Sequence, residues 1–204
     1  MIGDELPSNG WGVAGADRRA EDRPRLDASF DLMTAVLNGT RLPDMLIRLA
    51  AHARAMAHVP LAFIALPAEE TDMLRIEVAV GAGSDRIRGL TVRRGRSMLG
   101  RAFSSRRALS ARIVADQTLS ALPAGPILIL PLETGEATRG VLAVLGRPGA
   151  QPFSPVTARQ MLLFADMSAR LIELSEAHRA DGPADSGDHA HIARTLRPPW
   201  STQA

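Results

Sequence analysis

The side chains with most chemistry to offer in this chain are five histidines, a knot of carboxylates and a long run of arginines. His52 and His58 stand six residues apart in a stretch that reads as helix, where residues sharing a face are three or four apart, so they do not make a metal-binding pair. His189 and His191 are close, but they offer two ligands on a polar tail where a zinc site needs three or four. Glu69, Glu70 and Asp72 fall together in a turn, where solvation accounts for them. No Ser-His-Asp set is suggested by the order of residues, although such sets assemble across space. The expectation is no metal, no cofactor and no catalytic residue.

Absences sharpen this. There is no cysteine, which excludes disulfides, thiolate nucleophiles, cysteine-based zinc sites and thioether attachment of a cofactor. There is no lysine either: all 24 basic residues are arginine, so Schiff-base chemistry and a P-loop lysine are excluded. The net charge is only +2, yet Arg86, Arg88, Arg93, Arg94, Arg96, Arg101, Arg106, Arg107 and Arg112 follow one another with no acidic residue between them. Such a concentration suits an anionic ligand, an acidic protein surface or nucleic acid, with Arg93, Arg94, Arg96 and Arg101 as its centre. The alternative is a solvated face in a chain that uses arginine for every cation. Aromatic residues make up 3%, which argues against single-stranded nucleic acid, whose bases stack on such rings.

The elements that position these residues can be read from pattern. Residues 1 to about 24 lack hydrophobic periodicity and are expected to be a flexible arm. Leu26, Phe30, Met33 and Leu37 then share one helical face, and Asn38-Gly39 supplies a stop. A second helix starts near Pro43 with Leu46, Leu49, Ala50, Ala53 and Ala57 inward. The apolar run Leu61 to Pro67 predicts a strand covered on both faces. Leu74, Ile76, Val78 and Val80 alternate with Arg75, Glu77 and Ala79 and predict a half-exposed strand that forms a hairpin with it. Gly81-Ala82-Gly83 reads as a turn with no helix after it, a poor dinucleotide fingerprint. From Ser84 to Ala115 the chain is irregular, with a short strand around GLTVR and a helix capped by Ser97. Gly125 to Leu132 and Thr138 to Arg147 are two strands around a turn, and Ser154-Pro155 opens a long helix to about His178. Met161, Leu163, Phe164, Met167, Leu171 and Leu174 give that helix an apolar face wider than one sheet contact requires, so part of it is expected to meet a partner helix.

Two segments, GPILILPLETGEATRGVLAVLGR followed by FSPVTARQMLLFADMSARLIELSEAHR, together with GLTVRRGRSMLGRAF, resemble a GAF domain as it occurs in actinobacterial sensor histidine kinases. The resemblance covers about residues 26 to 178. It implies an α+β fold, a central antiparallel sheet flanked by helices, with the N- and C-terminal helices packed together. It places a ligand pocket under the Ser84 to Ala115 segment, with Phe63, Ile87, Leu99, Phe103 and Arg112 as lining; in GAF domains without a ligand such apolar residues are simply core. Without cysteine, neither bilin attachment nor the chemistry of GAF-fold methionine sulfoxide reductases is available. ALPAG before the PILILPL strand holds no histidine, so the resemblance is to non-haem members. The Asn-Lys-x-x-Phe-x-Asp-Glu motif of cyclic-nucleotide-binding members is also absent.

Arg179 to Asp188 is a polar linker, and the chain is divided into an arm (1–24), a GAF-like domain (25–178) and a flexible tail (179–204). In the resembled kinases a phosphoacceptor segment follows the GAF module, and His191-Ile192-Ala193-Arg194-Thr195-Leu196-Arg197-Pro198 looks like a degenerate copy, with Arg197 in place of the acceptor histidine. A chance helical turn is the competing reading. A guanidinium cannot act as that nucleophile, Pro198 and Pro199 would stop the helix, and no ATP-binding domain follows, so no autokinase activity is expected.

The function this implies is a sensory or regulatory module of signal transduction, related to two-component systems. It would be a homodimer through Phe30, Met33 and Leu37 on one helix and Met167, Leu171 and Leu174 on the other, binding an unidentified small ligand or relaying a signal by contact. The alternative is an adaptor without ligand that docks a histidine kinase, a response regulator or nucleic acid through the arginine face. An unrecognised hydrolase or transferase ranks last, since no polar cluster nominates itself. No apolar run approaches the roughly 20 residues of a bilayer span and the start lacks a signal-peptide pattern, so a cytoplasmic protein without membrane contact is expected.

Overall fold

The computed structural model describes residues 11–114, 122–135 and 137–180; the segment His191 to Pro198, expected to be a degenerate phosphoacceptor copy, lies outside them with the rest of the chain beyond Ala180. The elements in chain order are α1 (Trp11–Leu37), α2 (Leu42–Met56), β1 (Leu61–Pro67), β2 (Met73–Gly81), the one-turn α3 (Ser84–Ile87), β3 (Thr91–Arg93), α4 (Met98–Ser105), β4 (Leu109–Ile113), β5 (Gly125–Glu133), β6 (Thr138–Leu145) and α5 (Pro155–Ala180).

Six strands form one antiparallel sheet in the order β3-β2-β1-β6-β5-β4, with β3 and β4 at its edges. β1, β5 as far as Leu132 and β6 from Gly140 onward are apolar because both their faces are covered. In β1, Ala62 and Ile64 join a core shared with α1, α2 and α5, while Leu61, Phe63 and Ala65 join a second core under α4. β5 and β6 divide the same way: Leu128, Leu130, Leu142 and Val144 go to the first core, and Ile127, Ile129, Val141 and Ala143 to the second.

β2 departs from its expected alternation. Its register against β1 shifts between Ile64 and Ala65, which pair with Val78 and Ile76. The extra residue, Glu77, reverses the side chains beyond it, so Leu74 and Ile76 enter the second core while Val78 enters the first.

The three long helices share a direction scheme that matters later. α1 ends in a Schellman turn: Gly39, at φ +69°, donates to the Val36 carbonyl and Thr40 donates to that of Ala35. α2 folds back antiparallel, so Asp31 of α1 meets Arg48 and His52 of α2. α5 begins beside the end of α2, where Ala57 and His58 line the same hollow as Ser154 and Thr157. Its far end is tied to the β5–β6 turn: Arg139 bridges Glu173 and Glu176, each at 2.9 Å, and the Thr134 hydroxyl donates to Glu173 at 3.3 Å. α5 therefore runs antiparallel to α2 and parallel to α1.

α1 starts at Trp11, not near Leu26, so residues 11 to 24 are helical where an arm was expected. The segment mixes helix formers (Ala14, Ala16, Arg18, Arg19, Ala20, Glu21) with Gly12, Gly15 and Pro24, so neither apolar periodicity nor a uniform helix propensity announces it. At 1.5 Å per residue α1 is about 40 Å long against about 22 Å for α2, so its first turns reach past the end of α2.

The contact of Asp31 with α2 sets an acid limb. The His52 imidazole nitrogen, 2.9 Å away, is the main cause that holds the Asp31 carboxyl below the usual carboxylate range; burial opposes it as the next largest influence, and the charges of His52 and Arg48 add to the lowering. A carboxyl with a lowered folded-state pKa stabilises the fold above its unfolded value, near 4, and loses that contribution as pH falls through the folded value. Because the group is 42% exposed, the effect is at most about 1 kcal/mol. Asp31→Asn is expected to leave the melting temperature nearly unchanged at pH 3 and to lower it slightly at pH 7, read by thermal denaturation at both.

Candidate functional site

Two surfaces and one covered face compete for function. The covered face is the side of the sheet under α4, where a pocket is implied. The segment from Ser84 to Ile113 crosses it from the β3 edge to the β4 edge, and α4 lies over β2, β5 and β6. Two local devices seat α4. The Ser97 hydroxyl caps its first turn, accepting from the Gly100 amide at 2.9 Å while donating to the Arg93 carbonyl. Gly100 lies directly on the backbone of Arg94, so a Cβ there would collide with main-chain atoms.

Phe63, Ile87 and Leu99 are brought together here and are fully buried in one apolar cluster, with Phe103 packed partly buried at its margin. Arg94 is half-buried, its guanidinium 4.7 Å from the centre of the Phe103 ring. Arg112 is not part of this group: it stands exposed on the edge strand β4 and donates to the Ala150 carbonyl at 2.8 Å. The buried polar side chains among the described residues, Thr134, Ser168 and Ser175, belong to the β5–β6 turn and α5, not to this face. A small-molecule site needs a few placed polar groups to orient its ligand, and the buried side chains under α4 provide none.

The first surface is the run of arginines around that face, from which Arg112 turns away: it alternates with Leu109, Ala111 and Ile113 and bonds Ala150 on the other side. Of the nine arginines from Arg86 to Arg112, all but Arg94 are exposed. They do not converge. Arg93, Arg94 and Arg96 sit at the β3–α4 connection, Arg101 on α4, and Arg107 and Arg112 at the opposite edge of the sheet, while Arg106 is paired with Glu133 at 3.3 Å. The expected turn after β2 also differs: Gly83, at φ +77°, leads directly into α3, whose four residues are too few to present a phosphate-binding helix end.

The second surface is formed by α1 and α5. Leu26, Phe30, Met33 and Leu37 face out of the molecule; Phe30 is 69% exposed and Leu37 72%. The core is met instead by Ala28, Leu32 and Val36, and Ala35 is buried as well. On α5, Leu163 and Leu174 are exposed, Met167 is half-buried, and Leu171 is turned into the core, so Leu163 takes the place expected of Leu171. The spacing of four, three and four in both Leu26-Phe30-Met33-Leu37 and Leu163-Met167-Arg170-Leu174 is that of a coiled-coil seam.

The order of elements, the sheet and the helix pair define an α+β sensory-domain fold, and the comparisons agree. The family model described as GAF domain matches residues 42–173, and the chain belongs to that family. The GAF-B domain of DevS from Mycobacterium smegmatis is 27% identical, with a TM-score of 0.59, covering 68% of this chain and 98% of that one. The GAF domain of an Acinetobacter phosphoenolpyruvate-protein phosphotransferase (17% identity, TM-score 0.61, 78% of this chain and 96% of that one) shares the fold. So does the free methionine-R-sulfoxide reductase of Neisseria meningitidis, solved with its substrate (17%, 0.62, 75% and 90%). GAF domains are typically sensory or regulatory modules of signalling. Among the described residues no helix is long and apolar enough to cross a membrane.

Proposed function

We propose that this chain is a regulatory GAF protein of the cytoplasm that forms a two-fold dimer through α1 and α5 and passes a signal along those helices, doing no chemistry of its own. One observation carries the reading: α1, packed parallel on α5, presents an outward apolar seam at coiled-coil spacing (Leu26, Phe30, Met33 and Leu37), while α5 exposes Leu163 and Leu174 with Arg170 between them. Surfaces of soluble chains rarely leave such contiguous apolar stripes open to water. The seams of two copies, brought together about a two-fold axis, make a four-helix bundle in which each seam covers another. Because α1 and α5 run the same way, the chain enters the bundle at one end and leaves at the other. A change in the packing of α1 is then felt where α5 emerges. Sedimentation velocity on the wild-type chain tests this: a dimer at micromolar concentration is expected, and a monomer at that concentration would remove the basis of the reading.

A second reading is favoured by the packed face under α4. Phe63, Ile87 and Leu99 fill the place where the resemblance puts a ligand, so a ligand there would have to displace core side chains. The exposed arginines above it suit contact with an acidic protein, and the partners in view are a histidine kinase or a response regulator. In this reading the arginine layer receives or hands on the signal, and the dimer helices serve it.

A further inference from the structure

We propose that the outer edge of β4 is a docking site for an extended acidic peptide segment of a partner protein, which adds to the sheet as one more strand. The inference rests on the docking reading above, carried from the arginines over α4 to Arg107 and Arg112 at the β4 edge, and is independent of the dimer. β4 is the last strand on its side of the sheet, paired only with β5 among the described residues. About half of the backbone donors and acceptors of such an edge point away from the neighbouring strand, a ready template for an added chain. β4 is five residues long and alternates regularly: Leu109, Ala111 and Ile113 turn toward the core under α4, and Ser110 and Arg112 are exposed. An incoming strand would therefore find regular extended backbone to pair with.

Charge selects what pairs. No acidic residue occurs from Arg86 to Val114. Arg107 stands exposed two residues before the strand and makes no ion pair among the described residues. Arg112 spends one N–H on the Ala150 carbonyl and keeps the rest of its five donors. Like charges facing one another across a strand pair are unfavourable, so two copies of this edge repel each other, whereas a strand carrying Glu or Asp on the facing side is attracted. A carboxylate also matches the guanidinium fork in a bidentate pair. Nucleic acid shares the negative charge but lacks the alternating backbone donors and acceptors that complete a sheet edge, and the layer has few aromatic rings to stack its bases.

The test uses the full chain, isotope-labelled for amide spectra, with three probes: a ten-residue peptide of alternating glutamate and threonine, the same peptide N-methylated along its backbone, and a single-stranded DNA of similar charge. The expected result is shifted and exchange-protected amides within Leu109–Ile113 with the plain peptide. Binding should be at least about tenfold weaker for the methylated peptide and for the Arg107→Glu/Arg112→Glu double variant, whose melting temperature is measured alongside to check that it folds. Equal binding of plain and methylated peptides would overturn strand addition while leaving the arginine layer as a docking surface. Tighter binding of the DNA without protection of β4 would overturn it in favour of nucleic acid. No binding of any probe would overturn both this inference and the docking reading.

Discussion

Phe164→Ala is expected to lower the free energy of unfolding by about 3–5 kcal/mol, the cost of removing a fully buried aromatic side chain and leaving a cavity. Phe164 stands on α5, and it is among the largest fully buried side chains of the protein. It belongs to the core that α5 forms with α1, α2 and the sheet, so the cavity would open among the elements that hold α1 and α5 in place. A domain of this size has a total stability of about 5–15 kcal/mol, so a loss of this order would leave a substantially weakened fold. Urea denaturation at a fixed protein concentration reads it, because a dimer's apparent stability depends on concentration. Phe103, at the margin of the other core, is expected to cost clearly less when truncated. If Phe164→Ala cost under about 1 kcal/mol, α5 would not be anchored by its core face, and the relay along α5 would lose its mechanical basis.

Phe30→Glu is expected to do the opposite, abolishing assembly without harming the fold. Phe30 is exposed in the single chain, so a glutamate there meets only water, and a surface change of this kind alters stability by about 0.5 kcal/mol or less. In the proposed dimer the same position would lie in the middle of an apolar seam. Two carboxylates would be buried per assembly without partners, and each would displace an aromatic anchor of the kind that dominates interfaces. The dissociation constant should rise at least about 30-fold, the equivalent of ~2 kcal/mol at a single hot spot. Sedimentation velocity and thermal melting on the same sample separate the two effects. A variant that stays dimeric would place the interface elsewhere.

What was legible in the sequence and what was not divides along a physical line. β1 could be bounded at Leu61 and Pro67 because a strand buried on both faces leaves a continuous apolar run, and α5 could be started at Ser154-Pro155 because capping is local chemistry. The helix stop at Asn38-Gly39 likewise appears as a hydrogen-bonded Schellman turn. The N-terminal half of α1 is not legible in the sequence, because it lacks apolar periodicity and Gly12, Gly15 and Pro24 weigh against a helix. The bulge in β2 was missed because register is a property of two strands, and nothing in Leu74 to Val80 alone announces that Glu77 is the extra residue. The facing of Leu171 could not be chosen because α5 is apolar around much of its circumference, packed on α1, α2 and β5 at once. As for the candidate site, Phe63, Ile87 and Leu99 were grouped by resemblance and do meet in space. Arg112, four residues beyond Ala108 on an edge strand, lies apart because the segment crosses the full width of the sheet.

The central claim is that two copies meet along the outward seam of α1, and the absence of native cysteine makes it directly measurable. Single cysteines would be placed in turn along α1 from Leu26 to Leu37, and each variant oxidised mildly and run without reductant. Cross-linked dimer is predicted to peak at positions 26, 30, 33 and 37 and to fall to background at 27, 31 and 34, the periodicity of a two-fold helical seam. Uniformly low cross-linking, or cross-linking with no such period, would contradict the account.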